Sequence, residues 1–425
     1  MFKMRYVAFA AFVFFSALFV CMSSTLGQSK FYTKRVSNEL RQGPANYYPL
    51  VGIVPQNTEL MTIKIDDGWY QVQLGTELAK ALETQVNSAW ISKYCLIEKP
   101  LDQKNRQLKI TTKIGTPTTV AAAIRGFAIR FKRTSIKNID ALLEKDHPCF
   151  THDEYRSFIH ESGLRQSAEI DPALREKYAG LFVEYDVSLD ESMIGYNVAA
   201  EIASKGLANN PALEKYINLL GTLITQHSTL YDRSFRIYVL DSSKPEAYST
   251  PGGIILISLG LIQACTSEAE LAAILAHEMT HVIQHHGLQE IQKRSQKIRA
   301  EEAFAELEKT TGDIADSTET ELEEYMQEAY DSVVKPRLLT YEEEADRGAV
   351  VLLVQTGYDP NAVATMIKRI PTVVPKEEND LEENPFAKRE YEQRYQSAAS
   401  FIQEYFRQTH GALNSGRFDK YCRSK

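Results

Sequence analysis

The sequence predicts an α+β protein in which a mainly helical C-terminal domain with a small β-sheet follows a small all-β barrel. Two observations carry this expectation. Residues 31–98 hold short runs of β-branched and aromatic residues between Gly, Pro and Asp turn signals. Residues 271–283, 289–335 and 363–421 have helical character, with one apolar strand-like run, 254–257, upstream of them. A chain of 425 residues, 44% hydrophobic and 24% charged, allows roughly two to four domains at about 100–200 residues each. With 21 Gly and 15 Pro it is neither a low-complexity chain nor a fibre, and a mean hydropathy of −0.31 excludes a polytopic membrane protein. The 48 basic against 56 acidic residues leave a net charge of −8, so nothing draws a polyanion to the whole surface and no nucleic-acid partner is expected.

Taken in order, residues 1–27 read as a signal peptide. Lys3 and Arg5 precede an apolar run, 6–20, and small polar residues follow at Ser23, Ser24 and Thr25, so a cut after Gly27 would expose Gln28. Lipidation at Cys21 competes with this, although Val20 is larger than the small residue such sites resemble. An uncleaved anchor is a third option, short against the about 20 residues a bilayer span needs. Each option places the mature protein outside the cytoplasm, in the periplasm, attached to the envelope or secreted. Cys95, Cys149, Cys265 and Cys422 then remain, enough for two disulfides in any of three connectivities, or for buried free thiols.

Within 31–98, Thr62-Ile63-Lys64-Ile65, Trp69-Tyr70-Gln71-Val72-Gln73-Leu74 and Ala89-Trp90-Ile91 read as strands. The order Leu40-Arg41-Gln42-Gly43-Pro44, Asp67-Gly68-Trp69-Tyr70-Gln71-Val72, Ala89-Trp90-Ile91-Ser92 resembles the bacterial SH3-like domain, with an insertion at 75–87. That resemblance implies peptide, cell-wall or intramolecular binding; a spacer whose Trp69 and Trp90 are only core is the plainer reading. Residues 99–189 form a basic connecting region. Its apolar stretch 120–131 sits among Lys104, Arg106, Lys109, Lys113, Arg125, Arg130, Lys132, Arg133 and Lys137, as in a helix lying on an anionic membrane surface or packed on a neighbouring domain.

The last domain, 190–425, carries the chemistry. Residues 271–283 contain no Gly or Pro and follow Thr266 or Ser267 as N-cap, with Glu268 and Glu270 in the first turn. Inside this apolar helix stands His277-Glu278-x-x-His281. Residues four apart project from one face about 6 Å apart along the axis, so two imidazoles reach one Zn²⁺. Glu278 lies about 100° round the helix, beside the metal, where it can act as a general base toward water. Three ionisable side chains in so apolar a helix are costly to bury unless something binds them. His285 is too far along the axis to share the same ion, and His286, before Gly287 as a C-cap, reads as a helix-end histidine.

A catalytic zinc takes three protein ligands, so a third must come from elsewhere. Two acidic segments offer one: 319–328, and Tyr341-Glu342-Glu343-Glu344-Ala345-Asp346-Arg347, which leads into the apolar run 350–354 and the stop Gly357-Tyr358-Asp359-Pro360. In the second, Glu342 and Asp346 share a helix face, as ligand and as orienter of a ligand histidine, while Glu343 and Glu344 point to solvent or pair with Arg347.

These motifs together resemble the HtpX-, Oma- and BepA-type zinc metallopeptidases, relatives of the prenyl-protein endopeptidase of the STE type. The matching residues run from Pro251-Gly252-Gly253-Ile254-Ile255-Leu256-Ile257-Ser258 through Ser267-Glu268-Ala269-Glu270-Leu271 and His277-Glu278-Met279-Thr280-His281-Val282 with His286. They resume at Glu342-Glu343-Glu344-Ala345-Asp346-Arg347 and Gly357-Tyr358-Asp359-Pro360, about 190–389 in all. The resemblance implies a zincin-type domain, one zinc held by His277, His281 and Glu342, and endoproteolysis by Glu278. Gly252, Gly253, Ile254 and Ile255 read as the start of an edge strand near the metal, able to pair with an extended substrate, with an ordinary buried strand as the plainer reading. Two departures stand out: Glu246-Ala247-Tyr248 where relatives show Asn-Ala-Phe, and Asn384-Pro385 with Arg389 where many show His-Pro and a downstream Arg. Residues 289–335 read as a helical excursion, either a lid over the cleft or a solvated hairpin. The implied function is zinc-dependent cleavage of unfolded or extended protein segments in envelope quality control. The alternative is a non-catalytic envelope binding or chaperone protein with a structural zinc.

Overall fold

The computed structural model describes residues 29–423 apart from position 67, 102–115, 132–135, 146, 165–169, 171, 183–188, 227–229, 295–315 and 374–384. The expected signal peptide, the basic run 104–113, Lys132, Arg133, residues 295–315 of the helical excursion and Asn384 lie outside the described residues. Seven strands come first: β1 (Lys30–Thr33), β2 (Ser37–Arg41), β3 (Leu50–Pro55), β4 (Glu59–Asp66), β5 (Trp69–Gln73), β6 (Ser88–Ser92) and β7 (Leu96–Ile97). They form one antiparallel sheet in the order β3-β2-β6-β5-β4-β1-β7, so β3 and β7 are its edges among the described residues. Register shifts interrupt β2 between Leu40 and Arg41 and β4 between Thr62 and Lys64, and such irregularities bend a sheet around its core. Leu40, Val54, Val72, Ala89 and Ile91 are fully buried there. The insertion 75–87 holds α1 (Thr76–Ala81), after which Leu82 is buried in the same core.

This sheet is docked on the rest of the chain. The Trp69 ring is buried and meets Tyr231 edge to face at 5.9 Å, and the Tyr231 hydroxyl donates to the Gly68 carbonyl at 3.0 Å. Arg35 Nη1 reaches Asp232 Oδ2 at 2.7 Å, with both side chains at most 5% exposed. Asn46 donates to Thr225 and to the Arg233 carbonyl, closing the same seam.

The connecting region holds α2 (Pro117–Phe131), α3 (Ile136–Leu143), α4 (His152–Ser162) and α5 (Pro172–Lys177). The apolar face of α2 is spent inside the molecule: Ile124, Phe127 and Ala128 are buried against α3 and α6 (Leu189–Ala203), and Arg125 pairs with Asp140 at 2.6 Å. That removes the face a membrane-surface helix would need. No described helix is long and apolar enough to cross a membrane. The four described cysteines are free thiols.

After α7 (Pro211–Gln226), three strands form the second sheet: β8 (Arg236–Leu240), β9 (Ala247–Thr250) and β10 (Ile254–Ser258). Here the expectation for 252–255 is corrected, because β10 is central, parallel to β8 on one side and antiparallel to β9 on the other. Its side chains alternate between two cores. Ile255 and Ile257 face the helices α7 and α9 (Glu268–Ile283), while Ile254 and Leu256 face α2, α3 and α6. A strand covered on both faces shows a continuous apolar run, which is what the sequence contains. Gly252 and Gly253 make the turn from β9 at φ 80° and 91°, and a Cβ on Gly252 would stand 2.9 Å from Ser192 Cα.

The remaining helices are α8 (Leu259–Ala264), α10 (His286–Arg294), α11 (Asp316–Val334), α12 (Leu339–Thr356), α13 (Asn361–Val373), α14 (Pro385–Tyr405) and α15 (Ser415–Cys422). The described half of α11 is no solvated hairpin: its Tyr325, Met326, Ala329 and Val333 are buried with α2, α6 and β9. Replacing Arg35 by Ala removes the short ion pair of the buried Asp232 carboxylate and leaves it only the longer one to Arg233 at 3.9 Å, at an expected cost of up to about 3–5 kcal/mol. An unchanged urea midpoint would show that this pair does not hold the docked sheet.

Candidate active site

Ser267 starts α9 by accepting the Glu270 amide at 3.2 Å, and the helix runs through the core with nearly every residue buried. On it, His277 Nε2 and His281 Nε2 lie 3.1 Å apart. α12 crosses beside it at close range: a Cβ on Gly348 would stand 2.4 Å from Thr280 Oγ1, so only glycine lets the two helices approach this far. That approach sets Glu342 Oε2 3.5 Å from His277 Nε2 and Glu342 Oε1 3.5 Å from His281 Nε2. Among the described residues these three form the one group able to share a metal ion. Donors about 2.0–2.1 Å from a tetrahedral zinc stand roughly 3.3 Å apart, so the observed triangle fits.

Each of the three is held from outside. His277 Nδ1 meets Asp346 Oδ1 at 2.9 Å, and Asp346 is buried. Arg394 of α14 grips both acids, its Nε and Nη2 reaching the two Asp346 oxygens at 2.9 Å and its Nη1 reaching Glu342 Oε2 at 2.8 Å. His281 Nδ1 faces His286 Nδ1 at 2.8 Å. Glu278 Oε2 accepts from Ser249 Oγ of β9 at 2.7 Å, and Arg337 lies 3.7 Å from the same oxygen while donating to the Ser249 carbonyl at 3.1 Å.

Charge follows from these contacts. Burial pulls the His277 imidazole down, but Asp346 and Glu342 overcome it and raise its pKa to about 9. Burial, with Arg337 nearby, holds His281 well below the usual range, and burial also lowers His286. Glu342 is pushed up by burial, but Arg394 and the two histidines outweigh that and hold it well below the carboxylate range; Asp346 follows the same pattern.

A cleft of about 560 Å³ opens beside the group, lined by His277, Glu278, Glu342, Tyr248 and the apolar Ile274 and Met366. A larger cavity of about 860 Å³ lies between the N-terminal sheet and α4, lined by Tyr47, Tyr48 and His152 and remote from this chemistry.

Residues 211–415 match the profile of peptidase family M48. The chain carries an M48 peptidase domain. The beta-barrel assembly-enhancing protease of Escherichia coli strain K12 is 25% identical over 197 residues, 43% of this chain and 38% of that protein. The mitochondrial metalloendopeptidase OMA1 of Schizosaccharomyces pombe is 26% identical over 190 residues, 44% of this chain and 53% of its own length. A Yersinia pestis beta-barrel assembly-enhancing protease is 31% identical over 102 residues, 24% of this chain. The match thus spans less than two thirds of each relative.

Against the sequence reading, the M48 domain brings His277, Glu278, His281, Glu342 and Asp346 to one place, and it corrects several neighbours. His285 takes a left-handed conformation at φ 53° and ends α9 two residues before Gly287, so Gly287 is no C-cap and His286 turns back onto His281. Glu344 faces His286 at 3.4 Å and only Glu343 reaches Arg347, at 4.0 Å. Gly252, Gly253, Ile254 and Ile255 do not present an edge to the cleft; β9 does. The arginine at the acids is Arg394, whose signal was visible as a lone charge in the apolar stripe Tyr391, Ala398, Phe401 and Ile402. Ser249 and Arg337 had no local signal, since β9, α9 and the chain before α12 meet only in the fold.

Metal binding must displace the second proton of His277, while His281 is already neutral. Apparent metal affinity is therefore expected to rise with pH up to about 9, and uptake at pH 7 to release about one proton per ion. Calorimetry in two buffers of different ionisation enthalpy measures this; zero release would show His277 neutral beforehand.

Proposed function

We propose that this chain is a zinc-dependent endopeptidase that cleaves unfolded or extended protein segments outside the cytoplasm, in quality control of the cell envelope. The observation that carries the reading is the triangle of His277 Nε2, His281 Nε2 and Glu342 with sides near 3.1–3.5 Å, next to Glu278 in an open cleft. Zinc held there would polarise a scissile carbonyl and make water a nucleophile near neutral pH.

The chain's own residues do the rest. Ser249 occupies Glu278 Oε2, which leaves Oε1 to take a proton from water and return it to the leaving amine. Asp346 keeps a proton on His277 Nδ1, so Nε2 keeps its lone pair for the ion. Arg394 fixes both acids, while Glu342 stays ionised. On β9, Glu246 and Tyr248 bond to β10, so the backbone groups of Ala247 and Ser249 point outward, the Ser249 carbonyl toward Arg337. An extended peptide can add to that edge at Ala247 through main-chain bonds, with little demand on its side chains. Ile274, Val363, Met366 and Ile367 offer an apolar wall for a side chain beside the scissile bond.

The names of the relatives, one a protease of beta-barrel assembly and one a metalloendopeptidase, support the class, and the export signal expected at 1–27 supports the compartment. We assign 31–98 to an SH3-like domain, 99–189 to the connecting region and 190–425 to the peptidase. The burial of Trp69 against Tyr231 favours an intramolecular role for that ring, whereas Trp90, half-buried with Lys64 above it at 5.6 Å, stays available to a peptide or wall ligand.

Glu278→Gln is expected to keep zinc and to lose about 10²–10⁴ of the cleavage rate on an unfolded protein. Equal cleavage by both proteins would remove Glu278 from the mechanism, and with it this reading.

A further inference from the structure

The route by which His281 is held differs from that of His277. His277 ends on a buried carboxylate, Asp346; His281 meets a third histidine. His281 Nε2 faces His277 Nε2 and Glu342 at 3.1 and 3.5 Å, so that nitrogen is the one turned to the common point. If it keeps its lone pair there, the ring proton of neutral His281 sits on Nδ1. His281 Nδ1 and His286 Nδ1 are 2.8 Å apart, a distance at which one nitrogen donates and the other accepts. His286 Nδ1 is then the acceptor. The proton of its own neutral ring is forced to Nε2, and that atom faces Glu344 Oε2 at 3.4 Å.

The surroundings are built for this ring. His286 is 1% exposed and stacks on Tyr341 with centroids 4.3 Å apart and planes 15° apart, and the Tyr341 hydroxyl donates to Gln289 Oε1 at 3.0 Å. The backbone bends to deliver it. Had α9 continued, residue 286 would lie about 7.5 Å beyond 281 along the axis and about 140° round it. The left-handed turn at His285 folds the chain back instead, and His285 itself goes to Glu191 at 3.3 Å.

We propose that His286 is a positioning residue that sets the tautomer and ring orientation of His281, passing the hydrogen bond outward to Glu344, so that the metal site is tied to a carboxylate at the protein surface. The inference rests on the zinc reading above.

Zinc affinity of the full chain, measured by chelator competition for wild type, His286→Leu and His286→Asn, tests it. Leu fills space but accepts nothing, whereas the Asn carbonyl oxygen can take the place of Nδ1. We expect Leu to weaken zinc binding by about 10–100-fold and Asn to stay close to wild type. Equal affinities in all three, or equal losses in both variants, would overturn the proposal, the latter by making His286 a packing residue. Nitrogen NMR of histidine-labelled, zinc-loaded wild type decides without any variant, should Leu not fold: a proton on His286 Nε2 supports the relay and a proton on Nδ1 overturns it. A wild-type chain that takes up no zinc would instead sink the metal reading itself, an outcome seen before any variant is compared.

Discussion

The close approach of α12 to α9 is the constraint on which the site depends. His277 and His281 are fixed to each other by one helix, but Glu342 and Asp346, 61 and 65 residues after His281, arrive from a second helix, and their reach is set by the gap between the two. Gly348 packs against Thr280 about half a turn beyond Asp346 and under two turns beyond Glu342, where any side chain would collide with the threonine. Thr280 is itself held, donating to the Ala276 carbonyl at 2.8 Å, so the neighbour has little room to give. Arg394 works against the same gap from the far side, since one guanidinium bridging Glu342 and Asp346 keeps two carboxylates of one helix face aimed together.

That arrangement also explains why so many ionisable groups can be buried at one place. In the metal-free chain, Glu342 and Asp346 are held ionised, Arg394 is charged and His277 carries a proton at neutral pH, so these four sum to zero while His281 stays neutral. Buried charges that are paired and hydrogen-bonded avoid most of the cost of isolated ones. Exchange of the His277 proton for a divalent ion, in the proposed zinc form, changes that sum to plus one. A net positive charge at the wall of the cleft suits a carbonyl oxygen on which negative charge develops.

How much of this could be read from the sequence depended on how local each feature is. The pairing of His277 with His281, the base position of Glu278 and the shared face of Glu342 and Asp346 follow from helix geometry, so spacing alone exposes them. The His286 reading failed because it extrapolated the helix and placed its stop at Gly287, and one left-handed residue, His285, undoes both steps. For Ile254 and Ile255 the buried-strand reading holds and the edge reading does not, because the unbroken apolar run belongs to a strand covered on both faces. Arg394 is distant in sequence from both acids, and the resemblance points instead at Arg389, the arginine just after Asn384-Pro385. The seven-stranded sheet was legible as β structure from its alternation, but its docking through Trp69 and Arg35 was not, because Tyr231 and Asp232 lie in the loop between α7 and β8.

The outer edge of β9 is where the protein's own chain and a bound peptide would meet. Residues 335–338 link α11, whose described face is buried, to α12, which is packed on α9, so the segment is tied at both ends. From that short tether Arg337 reaches the Ser249 carbonyl and the side of Glu278 at once. In the proposed binding mode an incoming strand would therefore find one outward residue of β9 open, Ala247, and the next already bonded by Arg337. Pairing at Ala247 leaves the Ser249–Arg337 contact in place, and with it the hydrogen bond that orients Glu278. The residue whose carbonyl Arg337 takes is the one whose hydroxyl bonds Glu278, so the length of the free edge and the orientation of the base meet at Ser249.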